Sequence, residues 1–244
     1  MTTATQIQWT SFSRSHVGLI REVNEDSCLD RPERGLWAVA DGMGGHEAGE
    51  IASNMVTDAL RCLPVTGDID ELMERAAEAL HQVNSDLIHL ARSGARPGQT
   101  IGTTVVGLAI ADGSFRCFWA GDSRAYRLRD GQITRLSRDH SLVQNLIEAG
   151  MLKPEEAENH ADASIITRAV GAAETIDPEI ISGDAQPGDQ FLLASDGLTR
   201  VVPDPELAAE LERGPPAQAA DRLIETVLAR GAPDNVSLII VKLL

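Results

Sequence analysis

Ala38-Val39-Ala40-Asp41-Gly42, Phe118-Trp119-Ala120-Gly121-Asp122 and Leu193-Ala194-Ser195-Asp196-Gly197 each run an apolar, strand-like stretch straight into an Asp. Asp234-Asn235-Val236-Ser237-Leu238 does the same in reverse, and a fifth acid, Asp26, closes Arg21-Glu22-Val23-Asn24-Glu25-Asp26. Strand ends set side chains at the rim of a sheet on rigid backbone. Two carboxylates ~5 Å apart at an effective dielectric of ~20 repel by roughly 3 kcal/mol, so five that converge persist only with cations. Oxygen donors without Cys or His beside them select a hard ion, Mg²⁺ or Mn²⁺, over zinc or copper. Taken singly, each Asp is ordinary turn punctuation. The repeated context is what argues for one shared site.

Competing motifs fail on specific residues. A calcium loop at Asp41 would need Asp or Asn where Met43 and Gly45 stand. A dinucleotide fingerprint would need glycine at Glu47, and no Gly-Lys exists to make a phosphate-binding P-loop. His46-Glu47 lacks the second His of a zinc protease, and no Gly-x-Ser-x-Gly occurs. Gly42, Gly44 and Gly45 instead allow main-chain groups to approach an ion closely.

Charge narrows the partners. The 244 residues carry 21 Lys+Arg against 37 Asp+Glu, a formal net charge of −16, which disfavours nucleic acid and anionic membrane surfaces. Aromatic residues make up 3%, too few for base-stacking platforms. Cys28, Cys62 and Cys117 form no CxxC pair and read as buried thiols of a reducing compartment. With no apolar leader and no long apolar run, the expectation is a monomeric cytoplasmic protein, one free-standing domain over 1–244.

The elements that must position the acids follow from periodicity. Leu36 to Ala40, Gly102 to Ile110, Phe115 to Ala120, Ala125 to Leu128, Gln190 to Ala194 and Ser237 to Leu243 read as strands. Asp130-Gly131 predicts a tight hairpin between Tyr126–Arg129 and Gln132–Leu136. Helical spacing runs from Ile51 to Leu63, from Ile69 to Leu90 and from Ala217 to Arg230. Strands grouped as hairpins favour an α+β layered architecture, mainly antiparallel sheet on sheet with helices outside. His140 to Gly171 is polar, with a short helix and a helix start at Lys153-Pro154-Glu155-Glu156, and reads as a surface excursion beside the site.

Arg21-x-x-Asn24-Glu25-Asp26, Val39 to Gly45, Gly121-Asp122-Ser123-Arg124, Ser195-Asp196-Gly197 and Asp234-Asn235-Val236-Ser237 stand in the order seen in metal-dependent serine/threonine phosphatases of the PPM/PP2C type, which the chain resembles over roughly residues 14–241. The resemblance implies a four-layer α-β-β-α sandwich, two mainly antiparallel sheets flanked by helices, with a binuclear Mg²⁺/Mn²⁺ centre. It implies that Asp41 bridges two ions, that the Gly42 carbonyl, Asp196 and Asp234 complete the shell, that Glu25 and Asp26 act mainly through water, and that Asp122 holds a third, looser ion. Asn235 is expected to support that shell. Arg21 matches the phosphate clamp, with an ion pair to Glu22 or Glu25 as the bland alternative, and 140–171 matches the flap that would govern substrate choice.

Water activated between two cations would then attack phosphorus in line without a phosphoenzyme. Two residues depart from the pattern: Met43 stands where eukaryotic members carry a His, leaving metal-bound water or His140 as general acid, and Arg200 replaces an acid or amide. A lone His is more often a surface or capping residue, so His140 is not counted as catalytic. The expected partners are phosphoproteins and a cognate serine/threonine kinase, with type VI secretion control among the settings known for such enzymes. The alternatives are a pseudophosphatase that binds phosphoproteins without turnover and a hydrolase of small phosphoesters.

Overall fold

The computed structural model describes residues 8–44, 48–64, 68–93, 100–157 and 160–244. Its strands are β1 (Trp9–His16), β2 (Asp26–Arg31), β3 (Leu36–Met43), β4 (Gly102–Thr103), β5 (Val105–Ala111), β6 (Ser114–Ala120), β7 (Arg124–Arg129), β8 (Gln132–Arg135), β9 (Glu179–Asp184), β10 (Gln190–Ala194) and β11 (Val236–Leu243). Its helices are α1 (Ala48–Arg61), α2 (Ile69–Ser93), α3 (Leu142–Glu148), α4 (Asp196–Thr199), α5 (Asp204–Glu212) and α6 (Pro216–Ala229). One sheet runs β1-β11-β10-β7-β8 and the other β2-β3-β5-β6-β9, with β4 pairing β3; every pairing is antiparallel.

Burial resolves into three apolar layers, which makes four layers of structure. Leu60, Leu80 and Leu87 of α1 and α2 cover Leu29, Ala38 and Ala109 on one outer face. Leu207, Leu223 and Val227 of α5 and α6 cover Tyr126, Leu192 and Ile240 on the other. Between the sheets, Trp37, Val106 and Phe115 meet Phe191, Leu193 and Val241, with Phe115 and Phe191 edge to face at 5.1 Å. Central strands buried on both faces need largely apolar runs, and β5, Phe191 to Ala194 of β10 and Leu238 to Val241 of β11 are such runs.

The α-β-β-α sandwich expected from the sequence is therefore present. The Asp130-Gly131 hairpin is present too, with positive φ at both residues. Three strands escaped the periodicity reading: β1, β2 and β9, all sheet edges, the first two largely half-covered and β9 mostly exposed. Helix α5 escaped it as well. The run expected as one strand from Gly102 to Ile110 is broken at Thr104, and Asp41 lies within β3 rather than after it. Cys117 is buried, but Cys28 is half-buried and Cys62 exposed, which corrects the reading of three buried thiols. Ile51 and Leu90, counted on the apolar stripes, stay exposed at the helix margins.

Candidate metal centre

The two sheets bring their acid-bearing ends together. Asp26 and Asp41 face each other as direct partners across β2 and β3. In the other sheet Asp196 follows β10 and Asp234 precedes β11, and these two turns are pressed together: a Cβ on Gly197 would lie 1.8 Å from the Asn235 carbonyl oxygen. Only a glycine admits that approach. The sheets are pinned to each other by Ser195, whose Oγ donates to Asp26 Oδ2 at 2.9 Å and accepts the Ser237 N–H at 2.9 Å. Asp122 enters from the turn after β6.

Thr104 explains the break between β4 and β5. Its Oγ1 accepts the Asp41 N–H at 3.2 Å and lies 2.7 Å from Ser123 Oγ, while its own N–H donates to the Asp41 carbonyl at 2.8 Å. The backbone that carries Asp41 is thereby fixed on both sides. Gly42 donates its N–H to the Glu25 carbonyl at 3.1 Å, and a Cβ there would sit 2.1 Å from the Gly49 carbonyl oxygen. Gly49 in turn leaves room for the Glu25 carboxyl, whose Oε1 would be 2.4 Å from a Cβ on that residue. Gly45 of the glycine run lies outside the described residues.

Asn235 is a clamp. Its Oδ1 accepts the Glu25 N–H at 2.8 Å, and its Nδ2 donates to the carbonyls of Val17 at 2.8 Å and Val23 at 2.9 Å. This buried amide therefore shapes the loop that bears Arg21. Arg21 donates through Nη2 to Asp234 Oδ2 at 2.9 Å while its side chain stays half-exposed; Asp234, rather than Glu22 or Glu25, is its ion-pair partner.

Electrostatics identify the acids as one group. Burial pushes the Asp41 carboxyl well above the usual range, and the charges of Asp26, Asp196, Asp122 and Asp234 push it further. Asp26 is pushed up to about 7 by burial, with Ser237 and Ser195 opposing through hydrogen bonds and Asp196 and Asp234 adding. Asp122 is likewise pushed up to about 7 by burial and by Asp196, against Arg200. Burial also raises Asp196 and Glu25.

The donor set fits hard dications on two counts. It is all oxygen, and Glu25 Oε1, Asp26 Oδ1 and Asp122 Oδ1 are buried without a hydrogen-bond partner, a costly state that cation binding relieves. Among the described residues no three His, Cys, Asp or Glu side chains are already closed into a cage.

Two features differ from the sequence reading. His140, expected as a surface or capping residue, is buried and stacked on Trp119. Its Nδ1 accepts the Gly121 N–H at 3.1 Å, and its Nε2 lies 3.1 Å from Glu179 Oε1. Burial lowers its pKa. Arg200, a departure without an assigned contact, pairs with both Asp122 and Asp196. The spacing of four from Asp196 was a legible signal for one of those contacts; nothing in the sequence pointed to the other. The 140–171 segment is tied down by paired backbone bonds between Thr103 and Val170, both 2.9 Å, and by the His140 N–H to the Gly121 carbonyl at 2.9 Å.

Comparison with known proteins matches residues 16–237 to the family described as protein phosphatase 2C. The chain is 38% identical over 229 residues to the serine/threonine protein phosphatase PstP of Mycobacterium tuberculosis, covering 93% of this chain but 44% of that one, so it spans less than half of that relative. Among solved structures it is similar to PppA, described as a key regulatory component of T6SS in Pseudomonas aeruginosa (TM-score 0.89, 40% identity, covering 98% of this chain and all of that one). It is also similar to the catalytic domain of PstP in complex with two manganese ions (TM-score 0.85, 35% identity, covering 98% and 100%).

Proposed function

The chain belongs to the protein phosphatase 2C family, and from that premise we propose that it is a Mg²⁺- or Mn²⁺-dependent phosphatase of phosphoserine and phosphothreonine in proteins, opposing a serine/threonine kinase. The observation that carries this reading is the convergence of five aspartates from both sheets around three orphaned, buried carboxylate oxygens. Asp41, Asp196, Asp234 and the Gly42 carbonyl would hold two ions, with Asp26 and Glu25 reaching them through water. Similarity to PppA supports a bacterial signalling setting such as T6SS control.

Such ions supply a water of lowered pKa and positive charge toward the phosphoryl oxygens. The chain's own residues do the rest. Arg21, half-exposed and held by the Asn235-clamped loop, offers a planar fork that can leave Asp234 for two phosphoryl oxygens. Thr104 and Ser123 keep the Asp41 backbone from yielding to the repulsion around it. Met43 has no proton to give; His140 Nδ1 is taken by the Gly121 N–H, while its Nε2 lies 3.1 Å from Glu179 Oε1 without a hydrogen bond. Water is the proton source this reading assigns to the leaving serine or threonine oxygen, with His140 as the alternative.

The test is phosphate release from a phosphothreonine peptide with Mn²⁺. Asp41→Asn and Asp196→Asn should abolish it, as should a chelator. Full activity in either variant or under chelation refutes the assignment. Peptide binding without hydrolysis would favour the pseudophosphatase, and metabolite esters outrunning phosphopeptides would favour the small-ester hydrolase.

A further inference from the structure

Arg200 sits just past α4 and reaches back over the acid cluster. Its Nε lies 3.0 Å from Asp196 Oδ2 and its Nη2 3.1 Å from Asp122 Oδ2, so one guanidinium spans the carboxylate after β10 and the one in the β6–β7 turn that crosses between the sheets. The same Nη2 lies 3.4 Å from the Ala163 carbonyl of the 140–171 segment. Asp122 is buried, and its second oxygen, Oδ1, has no partner. A positive group bridging two acids is the arrangement a divalent ion would otherwise make there. Unlike such an ion, it is covalently tethered, always charged and cannot be chelated.

We propose that Arg200 stands in for a third divalent cation between Asp122 and Asp196, so that this chain holds two such ions where an open Asp122–Asp196 pair would admit a third. The inference rests on the metal-dependent reading above. A tethered guanidinium acts at an effective concentration of about millimolar or more, which a loosely held ion cannot displace at ordinary metal levels. With Arg200 removed, Asp122 Oδ2 and Asp196 Oδ2 lose the counter-charge between them and are freed to ligate, beside the already unpartnered Asp122 Oδ1.

Equilibrium dialysis against Mn²⁺, with bound metal counted by atomic absorption, reads this without reference to activity. The wild-type chain should bind two ions. Arg200→Ala and the shorter, neutral but still polar Arg200→Gln should each bind a third, weaker one, and Arg200→Ala combined with Asp122→Asn should return to two. Arg200 is largely at the surface, and the Gln variant carries the count should the Ala variant misfold. Three ions on the wild type, or two on a well-folded Arg200→Gln chain, would overturn the proposal. A wild-type chain binding no Mn²⁺ at all would instead overturn the metal-dependent reading beneath it.

Discussion

Chelated and taken from ~pH 5 to ~pH 6.5, the protein should lose stability. Asp26 and Asp122 are both pushed up to about 7, each chiefly by burial. Unfolded, they release their protons near the ordinary carboxylate pKa of about 4. Across the interval the folded state therefore binds more protons than the unfolded one. Stability must then fall as pH rises, by about 1.4 kcal/mol per pH unit for each group, or roughly 4 kcal/mol for the two together. His140 opposes this: burial lowers its pKa, so it gains stability as pH rises through the ordinary His range, but it is a single group.

Urea unfolding in excess chelator at both pH values measures the slope. The Asp122→Asn variant removes that group's own titration, and with it the push Asp122 gives Asp41, so it should show a slope flatter by at least about 1.4 kcal/mol per pH unit. Mn²⁺ binds only the ionised carboxylates, so its stabilisation should be large near pH 7, about 2.7 kcal/mol at a hundredfold excess over Kd, and should fade toward pH 5. Parallel pH profiles for wild type and Asp122→Asn, or an equal effect of Mn²⁺ at both pH values, would refute the reasoning.

Asn235→Ala strands one N–H and two carbonyls of the 17–25 loop; it should cost roughly 3 kcal/mol in chemical unfolding and raise KM more than it lowers kcat, whereas wild-type KM in a folded variant would show that Arg21 does not need the clamp. Gly197→Ala forces a methyl to 1.8 Å from the Asn235 carbonyl oxygen, so the two acid-bearing turns must separate. A loss of about 3 kcal/mol together with weakened Mn²⁺ binding in calorimetry is expected, and an unchanged melting temperature would refute the close packing.

Much of this was written locally in the chain. The double-buried strands β5, β10 and β11 announce themselves because strands covered on both faces must be apolar over most of their length. The hairpin at Asp130-Gly131 follows from two residues that accept positive φ. The acids were legible as types, since hard oxygen donors at strand ends have few other uses in such number.

What the sequence could not specify were the contacts made across long stretches of chain. Edge strands β1 and β2 are half-covered and β9 is mostly exposed, so they carry no periodic signal, and only pairing with a neighbour makes them strands. The Ser195–Asp26 bond, the Asn235 clamp on the Arg21 loop and the Arg200–Asp122 pair join residues from 78 to 218 positions apart. The composition of the acid cluster is thus a property of the chain. Its convergence, the repulsion that raises its carboxyls and the arginine that answers it exist only once two sheets have closed face to face.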